Sequence, residues 1–110
     1  MTSNEQRVKV LLSIQRALLG AISPEMRAID VSWNDSEIRL RFTVDANEDN
    51  DIDELVNAIE GEIEGDFLPD AKVSSEVIVV PDGIPVSVFN FFDQGYARVY
   101  ARHEGDLKLL

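Results

Sequence analysis

The sequence predicts an α+β domain in which two helices pack on one face of a mainly antiparallel sheet, in the order α-β-β-α-β-β. Three observations carry that expectation. The stretch 27–45 alternates apolar and polar residues on both sides of a polar turn. The flanking stretches 3–20 and 51–66 repeat apolar residues at helical spacing, and two further short alternating runs, 72–80 and 95–103, follow the second. Two strands are not stable alone, so the helices on either side must cover their apolar face. At 110 residues the chain is read as one domain, 1–110, large enough to bury roughly two-thirds of the surface its unfolded form exposes.

The first helix has Ser3 as its N-cap, Glu5 at the positive end of its dipole and Gly20 as its stop. Val8, Leu11, Leu12, Leu18 and Leu19, extended by Ile14 and Ala21, form the stripe expected to lie on the sheet, with Arg7, Lys9 and Arg16 toward water or its edge. Ser23 and Pro24 break the pattern. In the hairpin that follows, Ile29, Val31 and Trp33 share one face with Ile38, Leu40, Phe42 and Val44, while Asp30, Ser32, Arg39, Arg41 and Thr43 share the other. Asn34, Asp35 and Ser36 supply the turn, because short polar side chains bond their own backbone.

After a polar connection at 45–50, Ile52, Leu55, Val56, Ile59, Ile63 and Phe67 define a second amphipathic helix from about Asp51 to Asp66. Glu54, Asn57, Gly61, Glu64 and Gly65 point away from its apolar stripe, with Asp53 and Glu60 on one flank and Asp51 and Glu62 on the other. Gly61 and Gly65 weaken the second half by up to about 1 kcal/mol each relative to alanine, which reads as a frayed end or as a bare patch among carboxylates. The turn at 68–70 ends this helix, and residues 72–80 form a third strand closed by the turn Pro81-Asp82-Gly83. Residues 84–93, with Ile84, Val86, Val88, Phe89, Phe91 and Phe92, admit a strand or a packed irregular loop. The last strand, 95–103, sets Ala97, Val99 and Ala101 under a helix and Tyr96, Arg98, Tyr100 and Arg102 on the open side of the sheet; the tail from 104 to 110 is expected to be mobile.

Charge narrows the function. The formal charge is −11, and 11 of the 21 acidic residues lie between Arg41 and Lys72, where there is no basic residue. Such a surface opposes general nucleic-acid binding and favours a basic protein partner. The absence of cysteine removes disulfides, thiolate metal sites and cysteine nucleophiles and fits a reducing cytoplasm. Residues 1–22, interrupted by Glu5, Arg7, Lys9 and Arg16, match neither a signal peptide nor a membrane span.

The local motifs fall short of known chemistry. Residues 45–53 follow the opening of an EF-hand calcium loop, but Asn50 and Val56 stand where glycine and a bidentate glutamate are needed, so no metal is expected. Residues 94–101 match the RNP1 strand of RNA-recognition motifs at Gly95, Tyr96, Ala97 and Val99, whereas Arg98 and Ala101 replace aromatics. His103 is the sole histidine, with no nucleophile or orienting group in a recognisable arrangement, and carboxylate pairs such as Asp30 with Asp35 or Glu37 carry no specificity. No catalytic residue and no cofactor is expected.

The runs Gln15 to Gly20, Ser23-Pro24, Arg27 to Trp33 and Ile38 to Phe42 resemble a group of small acidic bacterial proteins. As a type, the chain is similar to the immunity proteins of contact-dependent growth inhibition and related polymorphic toxin systems. The resemblance covers roughly residues 10–45 and, more loosely, the acidic helix. It implies a cytosolic, non-enzymatic, stoichiometric inhibitor of a toxin domain, commonly a basic nuclease. On that expectation Asp51, Asp53, Glu54, Glu60, Glu62 and Glu64 bind the partner, and Gly61 and Gly65 allow its backbone to approach. The alternative is an RNA- or nucleotide-binding adaptor using Arg39, Arg41, Tyr96, Arg98, Tyr100 and Arg102; covering of that face by a second copy is left open.

Overall fold

The computed structural model describes residues 4–48, 51–67, 71–85 and 95–103. Its elements run α1 (Asn4–Leu18), β1 (Met26–Trp33), β2 (Glu37–Val44), α2 (Asp51–Phe67), β3 (Lys72–Val79) and β4 (Ala97–Ala101), the α-β-β-α-β-β order read from the pattern. Ser3 as a cap, Asn50, the turn at 68–70, the apolar run from 86 to 93, Gln94 and the tail from 104 lie outside the described residues.

The sheet is mixed, in the order β3-β2-β1-β4. The β1–β2 hairpin and the β1–β4 pair are antiparallel, as expected, but β3 runs parallel to β2 in an unbroken register from Glu37 opposite Lys72 to Val44 opposite Val79. The reason is the crossover: α2 carries the chain back to the end at which β2 began, so β3 starts there and runs the same way. The hairpin turn forms as its residues dictate, with Asn34 Oδ1 accepting from the backbone N–H groups of Ser36 and Glu37, each at 2.9 Å. Gly20, at φ 77°, takes the left-handed conformation that stops α1.

One core joins both helices to one face of the sheet. Ile29, Val31, Ile38, Leu40, Phe42, Val44 and Val73 from the strands meet Val10, Ile14, Ala17 and Leu18 of α1 and Ile52, Val56, Ile59, Ile63 and Phe67 of α2. Each large apolar side chain fully buried here contributes roughly 1.5–3 kcal/mol of transfer free energy. The stripe expected of α1 is corrected by this arrangement: Val8, Leu12 and Leu19 face water, and Val10, Ile14 and Ala17 take the core positions with Leu18. Apolar residues occur all round α1, so helical spacing alone does not fix its rotation. A polar contact does, since buried Ser13 donates to Asp66 of α2.

Lys9 stands over the Phe67 ring at the C-terminal end of α2, while Arg16, about two turns further along α1, reaches back to Glu62. The two helices therefore run antiparallel, and their outward faces form one surface layer.

Candidate functional site

The acidic face of α2 arises because its apolar residues keep to one side and its carboxylates to the others. The six residues read as partner-binding do not form a single cluster. Glu60 is half-buried on the flank toward β3, where the Ser75 hydroxyl donates to its carboxylate. Asp53 is exposed and accepts from the Asn47 amide at 3.3 Å. Glu62, on the flank toward α1, faces Arg16 at 3.6 Å. Asp51, Glu54 and Glu64 have no cation within salt-bridge reach among the described residues; Asp51 and Glu54 are exposed, and Glu64 is half-buried. Between the flanks, Gly61 and Gly65 open directly to solvent, since a Cβ at either would meet nothing within 4 Å.

Asp66 was not singled out from the sequence, yet it holds the seam between the helices. The Ser13 hydroxyl and then the Arg16 guanidinium stabilise its carboxylate and lower its pKa, and Asp66 in turn raises that of Arg16. Arg16 is thereby committed to Asp66 and Glu62, so the acidic surface is partly neutralised along the seam and stays anionic toward the top and far flank of α2.

The far side of the sheet is less open than its alternation implies. Ala28, Asp30, Thr43 and Tyr96 are buried there. Arg27, at the register shift in β1, is buried as well, and its guanidinium donates to the carbonyls of Val80 and Pro81. Its arginines are committed within the chain. Arg98 makes a two-pronged pair with Asp30, which is 1% exposed, at 2.9 and 3.1 Å; Arg41 pairs with Glu76 and stands over the Tyr96 ring; Arg39 pairs with Glu37. Arg102 bridges Asp45, Asp82 and the Pro24 carbonyl, so Asp45, the first residue of the calcium-loop-like stretch, serves as its counter-ion.

Tyr100 is not on that face. A bulge between the partners of Ile29 and Asp30 places Val99 as an extra residue, so that Arg98 lies opposite Asp30 while Tyr100 lies opposite Ile29 and packs against the core. Strict alternation cannot show such a shift. Arg39, Arg41, Arg98 and Arg102 thus each face a carboxylate of the chain, Tyr96 lies under Arg41, and Tyr100 packs toward the core.

The sequence reading also passed over the outward side of α1. Val8, Leu12 and Leu19 are 55%, 60% and 80% exposed and, with Gln15, lie within a narrow arc opposite the core. Leu19 adjoins the seam, where it lines a depression with Arg16, Ala17, Ala58 and Glu62; the next depression along is lined by Arg16, Gly61, Gly65 and Asp66. The signal was present in the sequence as an excess: α1 has more apolar positions than one buried face can use.

Groups of three or more histidine, cysteine or carboxylate residues able to hold a metal ion do not occur among the described residues, and none of the described helices is long and apolar enough to cross a membrane. His103 is exposed just beyond β4. Compared with known proteins, residues 7–104 match the family described as MafI2 immunity protein, and no curated protein matches the chain.

Proposed function

The chain belongs to the MafI2 immunity protein family, and its function is to neutralise a cognate toxin by binding it; from that premise we propose that the toxin domain is basic and of the nuclease type, and that the outward face of α2 engages it. The observation that carries this reading is the set of carboxylates with no cation in reach among the described residues, Asp51, Glu54 and Glu64, beside Gly61 and Gly65, which leave the helix backbone bare. A domain that cuts nucleic acid needs a positive cleft. Carboxylates steered into that cleft occupy the positions that phosphates would take, and the inhibitor acts as a stoichiometric plug without catalysis of its own. The work is done in the cytoplasm, where the nucleic acid is, in a system of the contact-dependent or related polymorphic type.

Of the six residues first singled out, Glu54 and Glu64 carry most of the steering, followed by Asp51 and Asp53. Glu60 and Glu62 contribute less because Ser75 and Arg16 already hold them.

The test is kinetic, with the purified toxin domain whose lethality the chain suppresses on co-expression. The variant Asp51→Asn/Glu54→Gln/Glu64→Gln should associate about tenfold more slowly than the parent at low salt, with the two rates converging at high salt. An unchanged association rate at low salt would remove the acidic face from the interface.

A further inference from the structure

The outward side of α1 is apolar without a structural need to be. Val8, Leu12 and Leu19 bury nothing against the sheet, and single exposed aliphatics are ordinary on protein surfaces, but these three are aligned. Val8 and Leu12 stand on α1 and Leu19 in the turn just past its end, and Gln15 is the one polar member of the line.

We propose that this stripe is the apolar anchor of the toxin interface: an apolar ridge on the otherwise cationic toxin domain lies along Val8, Leu12 and Leu19, while the carboxylates of α2 form the charged rim beside it. The inference rests on the toxin-binding part of the function proposed above. Two observations join the stripe to the acidic face. The helices are antiparallel neighbours in one layer, and Leu19 lines the seam depression together with Ala58 and Glu62 of α2, so apolar and anionic surfaces meet there without a gap.

Charge decides the occupant. A second copy laid against this layer would bring another chain of formal charge −11 against the unneutralised carboxylates of α2, and like charges at close range oppose the contact. A cationic partner gains from the same carboxylates. The arrangement also divides the work as protein interfaces commonly do: desolvated apolar contacts set how long the complex lasts, and the charged rim sets how quickly it forms. Alanine and glycine along the seam let the partner's ridge sit low between the helices.

The test uses the same toxin domain and the variant Leu12→Gln/Leu19→Gln, whose positions are exposed, so its urea midpoint should equal the parent's. The dissociation rate should rise about 10- to 100-fold while the association rate stays within about threefold, the reverse of the carboxylate variant. An unchanged dissociation rate would overturn the anchor and leave the acidic reading intact if the carboxylate variant still binds slowly. A faster dissociation with no effect of the carboxylate variant would support the anchor and overturn the charged rim. Sedimentation of the free protein supplies the remaining outcome: a dimer that the leucine variant dissolves, with toxin kinetics unaltered, would assign the stripe to a second copy and overturn the proposal.

Discussion

The two helices lie side by side on one core, yet they turn opposite chemistry outward. On α2 the exposed positions are carboxylates, glycines, an asparagine and an alanine, and the buried ones are aliphatic or aromatic, so composition and burial agree. On α1 they part company, because Val8, Leu12 and Leu19 are exposed while Ser13 is buried. The difference teaches where to look for a partner. A helix whose outward face matches its burial shows only its charge, whereas a helix with an apolar excess carries surface that the fold does not use.

The sharpest way to break this comparison is to cut the same kind of side chain from the two sides of α1. Ile14→Ala removes a fully buried residue from the core and should cost about 2–5 kcal/mol in urea unfolding. Leu12→Ala, on the outward side, should stay within about 0.5 kcal/mol of the parent. Equal costs would mean that the stripe is structural, and the contrast between the helices would lose its meaning.

How far the fold was legible follows from the same contrast. The period-two alternation of the hairpin, the Asn34 turn and the segregated stripe of α2 each have one solution, and the structure takes it. Three features have no local signature. The parallel seat of β3 depends on where α2 delivers the chain; the rotation of α1 depends on Ser13 meeting Asp66, 53 residues away; and the facing of Tyr100 depends on a bulge at Val99. Charge showed the acidic helix directly, but not which of its carboxylates are already spent, since that requires knowing that Arg16 lies across the seam. The pairing on the Arg/Tyr face was hidden for a related reason: alternation puts Asp30 beside Arg98 and Glu76 beside Arg41 without showing that they pair.

A smaller effect sharpens the α2 side. Gly61 and Gly65 lie in helical backbone with open space where a Cβ would stand, so Gly61→Ala and Gly65→Ala should each stabilise the protein by about 0.5–1 kcal/mol, read as a higher Tm. If the partner's backbone approaches here, the same variants should bind the toxin more weakly while being more stable. Higher stability with undiminished binding would reduce the glycines to a loosely wound helix end and confine the interface to the carboxylates and the α1 stripe.

The smallest expected effect concerns the clamp that sets which side of α1 faces out. Asp66 has its pKa lowered in the folded protein by the Ser13 hydroxyl and by Arg16, so the folded form holds that carboxylate ionised more strongly than the unfolded chain does. The sign follows from linkage: the stabilisation is complete above the unfolded value, roughly pH 4, and is lost as the pH falls through the lowered folded value. Its size is modest, because the side chains of Asp66 and Arg16 are 35% and 53% exposed and water screens them. Asp66→Asn should therefore flatten the acid limb of the stability-versus-pH curve and leave the neutral plateau slightly lower. Because Ser13 and Asp66 fix the rotation of α1, amide exchange in Asp66→Asn should quicken along α1 before α2. Uniform exchange in both helices would mean that Val10, Ile14 and Ala17 hold the rotation by packing alone, and that the outward stripe needs no polar clamp to present it.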